Sequence, residues 1–199
     1  MRELAADLHV HTCLSPCADR EMSPPEVVRR GRARGLDLIG ICDHNSAENA
    51  EAVIRAAEDT GLTVIGGMEI SSREEVHVLG LFADLAGLRL AQGVVYENLV
   101  GENDPDAFGE QLVMDERGEV VGEVDRLLIG ATGLPLDEVV RTIHALGGVA
   151  IAAHVDRPSF SIVSQLGFIP VGLGLDAVEV CADGRPPYLG EDLPVVRSS

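Results

Sequence analysis

The chain has 199 residues, of which 46% are hydrophobic and 24% charged, enough apolar mass for one packed domain and too much for a disordered chain. Acids outnumber bases 33 to 15, a formal net charge of −18 that counts against a protein sheathing nucleic-acid phosphates with clustered cations. All the bases are arginine, so a lysine nucleophile, a Schiff base and a P-loop lysine are excluded.

The first segment is Asp7-Leu-His-Val-His-Thr. If extended, it turns the imidazoles of His9 and His11 to one face. Ser23-Pro24-Pro25-Glu26 has the form of a capping box with proline in the first turn, opening a helix that stops near Gly35. Ser46 is placed to cap a second helix, Ala47 to Thr60, closed by Gly61. A third runs from Leu136 to Leu146, with Val139, Val140 and Ile143 on one face and Gly147-Gly148 at its end. Each of these helices is followed by a short, nearly continuous apolar run, the pattern of a strand buried on both faces of a parallel sheet. The runs lead to Asp43-His44, to Glu69 and to His154. This α/β rhythm predicts a barrel or a doubly wound sheet, with its chemistry at the carboxyl ends of the strands. Residues 84–130 break the rhythm and read as an insertion, with a β-hairpin formed by Glu110–Met114 and Glu119–Val124.

No apolar run reaches the roughly 18 residues of a membrane span, and the first residues lack the apolar core of a secretion signal. The four cysteines show no disulfide-framework spacing, so reduced thiols in a cytoplasm are expected. Oligomeric state is open.

The six histidines carry the functional signal. A single His-x-His pair reads first as two partly buried hydrogen-bonding histidines and second as metal ligands. Its company changes the balance, because Asp43-His44, Glu69, His77 and His154 each fall at or near the end of a different predicted strand. Imidazole and carboxylate donors together suit zinc, manganese or iron.

The ordered set of motifs resembles the PHP (polymerase and histidinol phosphatase) family: Asp7-Leu-His-Val-His-Thr, Ser15 and Asp19 ahead of Pro24, Cys42-Asp43-His44, Gly67-Met68-Glu69, Val76-His77-Val78 and Ala153-His154. The resemblance implies a distorted (β/α)7, TIM-like barrel over residues 1–199 as a single domain. It also implies phosphoester hydrolysis at a centre of up to three divalent transition metals (zinc, manganese or iron), with a metal-bridging hydroxide as nucleophile. Carried over by motif, His9 and His11 would hold the first ion and Glu69 would bridge the first and second. His77 and His154 would complete the second ion, and Asp19 and His44 would serve the third. Asp43 joins the catalytic set as the acid that orients its neighbours. Arg157 is the candidate phosphate clamp, with a surface ion pair to Asp156 as its plainer reading.

The family's last motif, Asp-x-His, is expected just where the sequence reaches Arg197-Ser198-Ser199. The chain therefore reads as incomplete at its C-terminus, with seven of nine expected ligands and without the final strand. His144 reads as a packing or surface residue, and Glu74 and Glu75 as a solvated turn. Cys13 and Cys42 read as inert small side chains, and Cys181 reads so first and as a residue of the site rim second. Cys17 reads as an inert side chain first and as a contact to the third ion second. The leading function is hydrolysis of a small phosphorylated metabolite or nucleotide. A PHP-type nuclease is the alternative, although the charge counts against long nucleic acid. A metal-binding module without turnover is the reading from another class.

Overall fold

The computed structural model describes residues 3–181, 184 and 193–198. In chain order the elements are β1 (Ala6–Val10), α1 (Pro24–Ala33), β2 (Leu38–Ile41), α2 (Ala50–Ala56), β3 (Thr63–Ser71), β4 (His77–Phe82), α3 (Leu85–Asn98), α4 (Pro105–Phe108), β5 (Leu112–Met114), β6 (Val120–Glu123), α5 (Leu136–Ala145), β7 (Gly148–Ala152), α6 (Ile162–Leu166), β8 (Ala177–Cys181) and β9 (Val195–Ser198). Seven strands form one sheet in the order β1-β2-β3-β4-β7-β8-β9, and β5 pairs with β6 separately. β9 comes back beside β1, and Val196 and Leu8 pack on the same inner cluster, so the sheet curls into a nearly closed barrel.

The sheet is mixed. β1, β2 and β3 run parallel, as do β7, β8 and β9, whereas β4 runs antiparallel to both β3 and β7. The parallel pattern expected for the apolar runs thus fails at β4. All six of its residues are buried, so its composition carries no sign of its direction. The reversal matters for the site, because it puts the first residue of β4, His77, on the rim where the parallel strands end.

Two layers of apolar packing result. Inside the barrel, Cys42, Leu79, Leu81, Ile151, Ala153 and Ala177 fill the lumen. There is no room there for a side chain at Gly67, where a Cβ would lie 2.6 Å from the Gly80 carbonyl oxygen and 3.1 Å from Cys42 Sγ. Outside, α1, α2, α3 and α5 press Val27, Val53, Leu88, Val139 and Ile143 against the outer faces of the strands in one continuous core.

The expected helices form, with local differences. At Ser23 the capping box does not close, because Glu26 turns to Arg29 and Arg30 at 2.6 Å. The second helix begins at Ala50, not Ala47; the Ser46 hydroxyl pairs with the Tyr96 phenol at 2.7 Å and accepts the Glu48 N–H only at 3.4 Å. Within 84–130 the hairpin forms as β5 and β6, but Leu85–Asn98 is a layer helix of the barrel, capped by Asp84 and burying Leu88, Ala91 and Val95. The final strand, expected to be missing, is present. Val195–Ser198 follow Pro194 and pair in parallel with Val178–Cys181, which gives the β8 edge the partner its backbone groups require. Ser199, where the last motif would begin, lies outside the described residues.

Candidate metal centre

The rim on which β1, β2, β3 and β7 end and β4 begins carries five imidazoles around one carboxylate. Glu69, near the end of β3, is 1% exposed. Its Oε2 lies 3.3 Å from His9 Nε2, 3.4 Å from His11 Nε2 and 3.0 Å from His44 Nδ1. Its Oε1 lies 2.8 Å from His77 Nδ1 and 3.0 Å from His154 Nε2. Backbone geometry brings His44 to this point: β2 continues past Ile41, and a lone parallel bridge joins His44 to Glu69. The Glu69 N–H donates to the Asp43 carbonyl and the Asn45 N–H to the Glu69 carbonyl. His154 sits in the turn after β7 with φ +31, a left-handed backbone that a non-glycine residue holds only where its surroundings insist.

The imidazoles are aimed by partners behind them. His9 Nδ1–H donates to Glu179, 2.9 and 3.1 Å away, on β8. Ser15 Oγ–H donates to Asp43 at 2.7 Å, so the same oxygen accepts from His11 Nδ1–H at 2.9 Å and from the His44 N–H at 3.1 Å. With Nδ1 protonated on both rings, the Nε2 lone pairs of His9 and His11 face each other at 3.1 Å. Two acceptors at that distance need a cation between them. In the metal-free protein a proton fills this role. Burial resists it, but the Glu69 charge and the hydrogen bonds to Glu179 and Glu69 carry His9 up to about 10. Burial pushes His11 well below its ordinary value, and the neighbouring imidazolium groups deepen the shift. Glu69 lies well below the carboxylate range because the charges of His9 and His44 and the imidazole hydrogen bonds outweigh its burial. His154 Nδ1 is buried and has no partner among the described residues. Imidazoles converging on a shared carboxylate, with the outer nitrogens of His9 and His11 tied to oxygen, form the donor set of a divalent-metal site.

The structure thus brings together His9, His11, His44, Glu69, His77 and His154. They line a cavity of about 300 Å³ with Cys17, Arg157, Ser159, Phe160 and Ile129. Phe160 stacks on His77, with 4.9 Å between centroids. Arg157 stands exposed at the mouth, and its Nε–H donates to Cys181 Sγ at 3.3 Å. Asp43 does not line the cavity. It is fully buried, accepting from the Thr12 N–H, the Thr12 hydroxyl and the Ser15 hydroxyl at 2.7 Å each, and it acts on His11 through Ser15. Burial pushes its carboxyl up against those hydrogen bonds. Asp19 is not in the cluster: it is exposed, and its Oδ1 accepts the Glu21 N–H at 2.8 Å. His144 is engaged elsewhere, 2.8 Å from Asp176, and Glu74 accepts the Leu136 N–H at the start of α5.

Glu179 is the residue that sequence reasoning missed. It is 2% exposed, and it also accepts the His154 N–H at 2.8 Å. The available signal was a lone carboxylate inside the apolar run Ala177-Val-Glu-Val-Cys, which a buried strand tolerates only with a partner.

Residues 7–158 match the PHP domain family. The chain is 27% identical over 190 residues to a 5'-3' exoribonuclease of Haemophilus influenzae, an alignment covering 74% of this chain and 68% of that protein. It is 34% identical over 91 residues to a 3',5'-nucleoside bisphosphate phosphatase of Chromobacterium violaceum, covering 44% of this chain and 31% of the relative. Its fold is similar to that of a Bifidobacterium adolescentis protein assigned to the metal-dependent phosphoesterases, with TM-score 0.65 and 20% identity over all of this chain and 87% of the other. With the barrel, the motif order and the family match in agreement, this chain belongs to the PHP domain family.

Proposed function

We propose that the chain is a metal-dependent phosphoester hydrolase acting on a small phosphorylated metabolite or nucleotide. The observation that carries the reading is Glu69, a buried carboxylate with both oxygens within 3.4 Å of imidazole nitrogens. His9, His11 and Glu69 would hold one divalent ion, and Glu69, His77 and His154 a second, with His44 turned to a third. Zinc, manganese or iron bound there would lower the pKa of water to about 7 and offset charge developing on phosphoryl oxygens.

The chain's own groups supply the positioning. Glu179 and Ser15 hold His9 and His11 in the tautomer that turns Nε2 inward, and Asp43 fixes Ser15. Phe160 covers one face of His77 and keeps water from it. Arg157 offers its terminal nitrogens to a phosphate entering the mouth, a fork suited to two oxygens. A cavity of about 300 Å³ is of a size to take a small phosphorylated molecule or a phosphorylated terminus. The bound ions would also let a chain of net charge −18 accept an anion.

The alignment to an exoribonuclease favours a second reading in which the same cavity receives the phosphorylated end of an RNA strand. A panel of phosphomonoesters, nucleoside bisphosphates and 5'-phosphorylated oligoribonucleotides, assayed with manganese and with zinc, separates the two. Faster phosphate release from the small esters is expected. Faster shortening of the oligomers would install the second reading, and metal binding without turnover of any substrate would leave a binding module.

A further inference from the structure

We propose that Cys17 is a metal ligand and that the third ion of this centre sits on Cys17 and His44, not on Asp19. The inference rests on the hydrolytic metal-centre reading above. The ligand atoms of Cys17, His11 and His44 all lie within 4.8 Å of one another, and Cys17 lines the cavity. Asp19 belongs to no such cluster and spends its carboxylate on its own loop.

The loop explains the choice between them. Ser15 is pinned by Asp43 and by the His44 N–H, and a turn closed by Ala18 N–H to the Ser15 carbonyl at 2.9 Å carries Pro16 and Cys17 across the mouth. The next turn, from Met22 N–H to the Asp19 carbonyl at 2.9 Å, carries Asp19 to the outside. The other thiols are placed elsewhere: Cys13 and Cys42 are buried in apolar clusters, and Cys181 faces Arg157.

The candidate groups overlap, since His11 and His44 also cluster with Glu69. One nitrogen serves one ion. His11 has Nδ1 on Ser15, which commits Nε2 to the His9 and Glu69 side. His44 meets Glu69 through Nδ1, and its side chain also hydrogen-bonds Cys17. The thiolate-bearing ion therefore belongs to Cys17 and His44, with His11 at its border. Binding breaks the S–H bond, forms a sulfur–metal bond and releases the proton to solvent. A thiolate favours zinc over manganese more strongly than a carboxylate does.

Cobalt titration of the intact protein tests this. The thiolate–cobalt charge-transfer absorption should grow during loading, vanish in Cys17→Ser and persist in Cys181→Ser and Asp19→Asn. Cys17→Ser should weaken one ion by more than about 10-fold, and Cys17→Asp should lower the preference for zinc over manganese. In unmutated protein, loading should shield Cys17 from alkylation, read by peptide mass. Cobalt bound with no thiolate band, or an ion lost in Asp19→Asn but not in Cys17→Ser, overturns the assignment and leaves the hydrolytic reading standing. A protein that binds no cobalt at all overturns both.

Discussion

Glu179→Gln is the sharpest probe of the centre because it touches none of the atoms proposed to meet an ion. The wild-type carboxylate accepts His9 Nδ1–H at 2.9 and 3.1 Å and the His154 N–H at 2.8 Å, both inside a strand that is buried along most of its length. Glutamine can keep its amide oxygen where Oε2 stands and serve the two shorter bonds. Its NH2 then meets the His9 N–H at the third, donor against donor. The charge that fixes the tautomer is also gone, and a charge-assisted hydrogen bond is roughly twice as strong as a neutral one. Once the Nδ1 proton is no longer held, His9 is free to place it on Nε2, the atom required for the ion. Loss of such a partner costs about 10–100-fold in metal affinity, or about 1.4–2.7 kcal/mol. Glu179→Ala should cost more, because it also orphans the buried His154 N–H, at about 1–3 kcal/mol of folding stability. Affinity is measured by competition with a chromogenic chelator, and folding by circular dichroism. If Glu179→Gln binds its metals within about twofold of wild type, the tautomer argument is wrong.

Other expectations follow from the same geometry. Metal-free protein should melt below the loaded form, by about 2.7 kcal/mol of stability at a free ion concentration of 100 Kd; coincident thermal transitions would show that the imidazoles hold nothing. Gly67→Ala should destabilise by about 1–3 kcal/mol, since its Cβ would fall 2.6 Å from the Gly80 carbonyl oxygen, and a urea titration reads the loss. The Asp176 carboxylate, opposed by desolvation but held low by the Ala150 N–H and by His144, has a folded pKa below its ordinary 3.8. Its contribution is therefore complete above 3.8 and lost as pH falls through the folded value. Asp176→Asn should lower the urea midpoint modestly near neutrality, and the gap should close in acid; a gap constant with pH would count against the ion pair.

Much of the site was legible because its residues break local rules. A histidine or glutamate at the end of an apolar run has no structural reason to be there, so His44, Glu69 and His154 stand out without coordinates. Glu179 hid for the opposite reason: one carboxylate inside a strand means little until its partner, 170 residues away, is seen. The helix Leu85–Asn98 went unread because its buried residues, Leu88, Ala91 and Val95, form a sparse stripe beside exposed Leu90.

The sequence by itself determined the α/β alternation, the family and the identity of most groups at the rim, because apolar period, capping residues and motif order are local properties. Tertiary structure alone decided that β4 runs backward and so delivers His77 to the common rim. It also decided that Asp43 reaches His11 through Ser15, and that the loop after β1 sets exposed Cys17 at the cavity and Asp19 away from it. These depend on strand direction and on which hydrogen bonds close a turn, and both are settled by contacts between segments far apart in the chain.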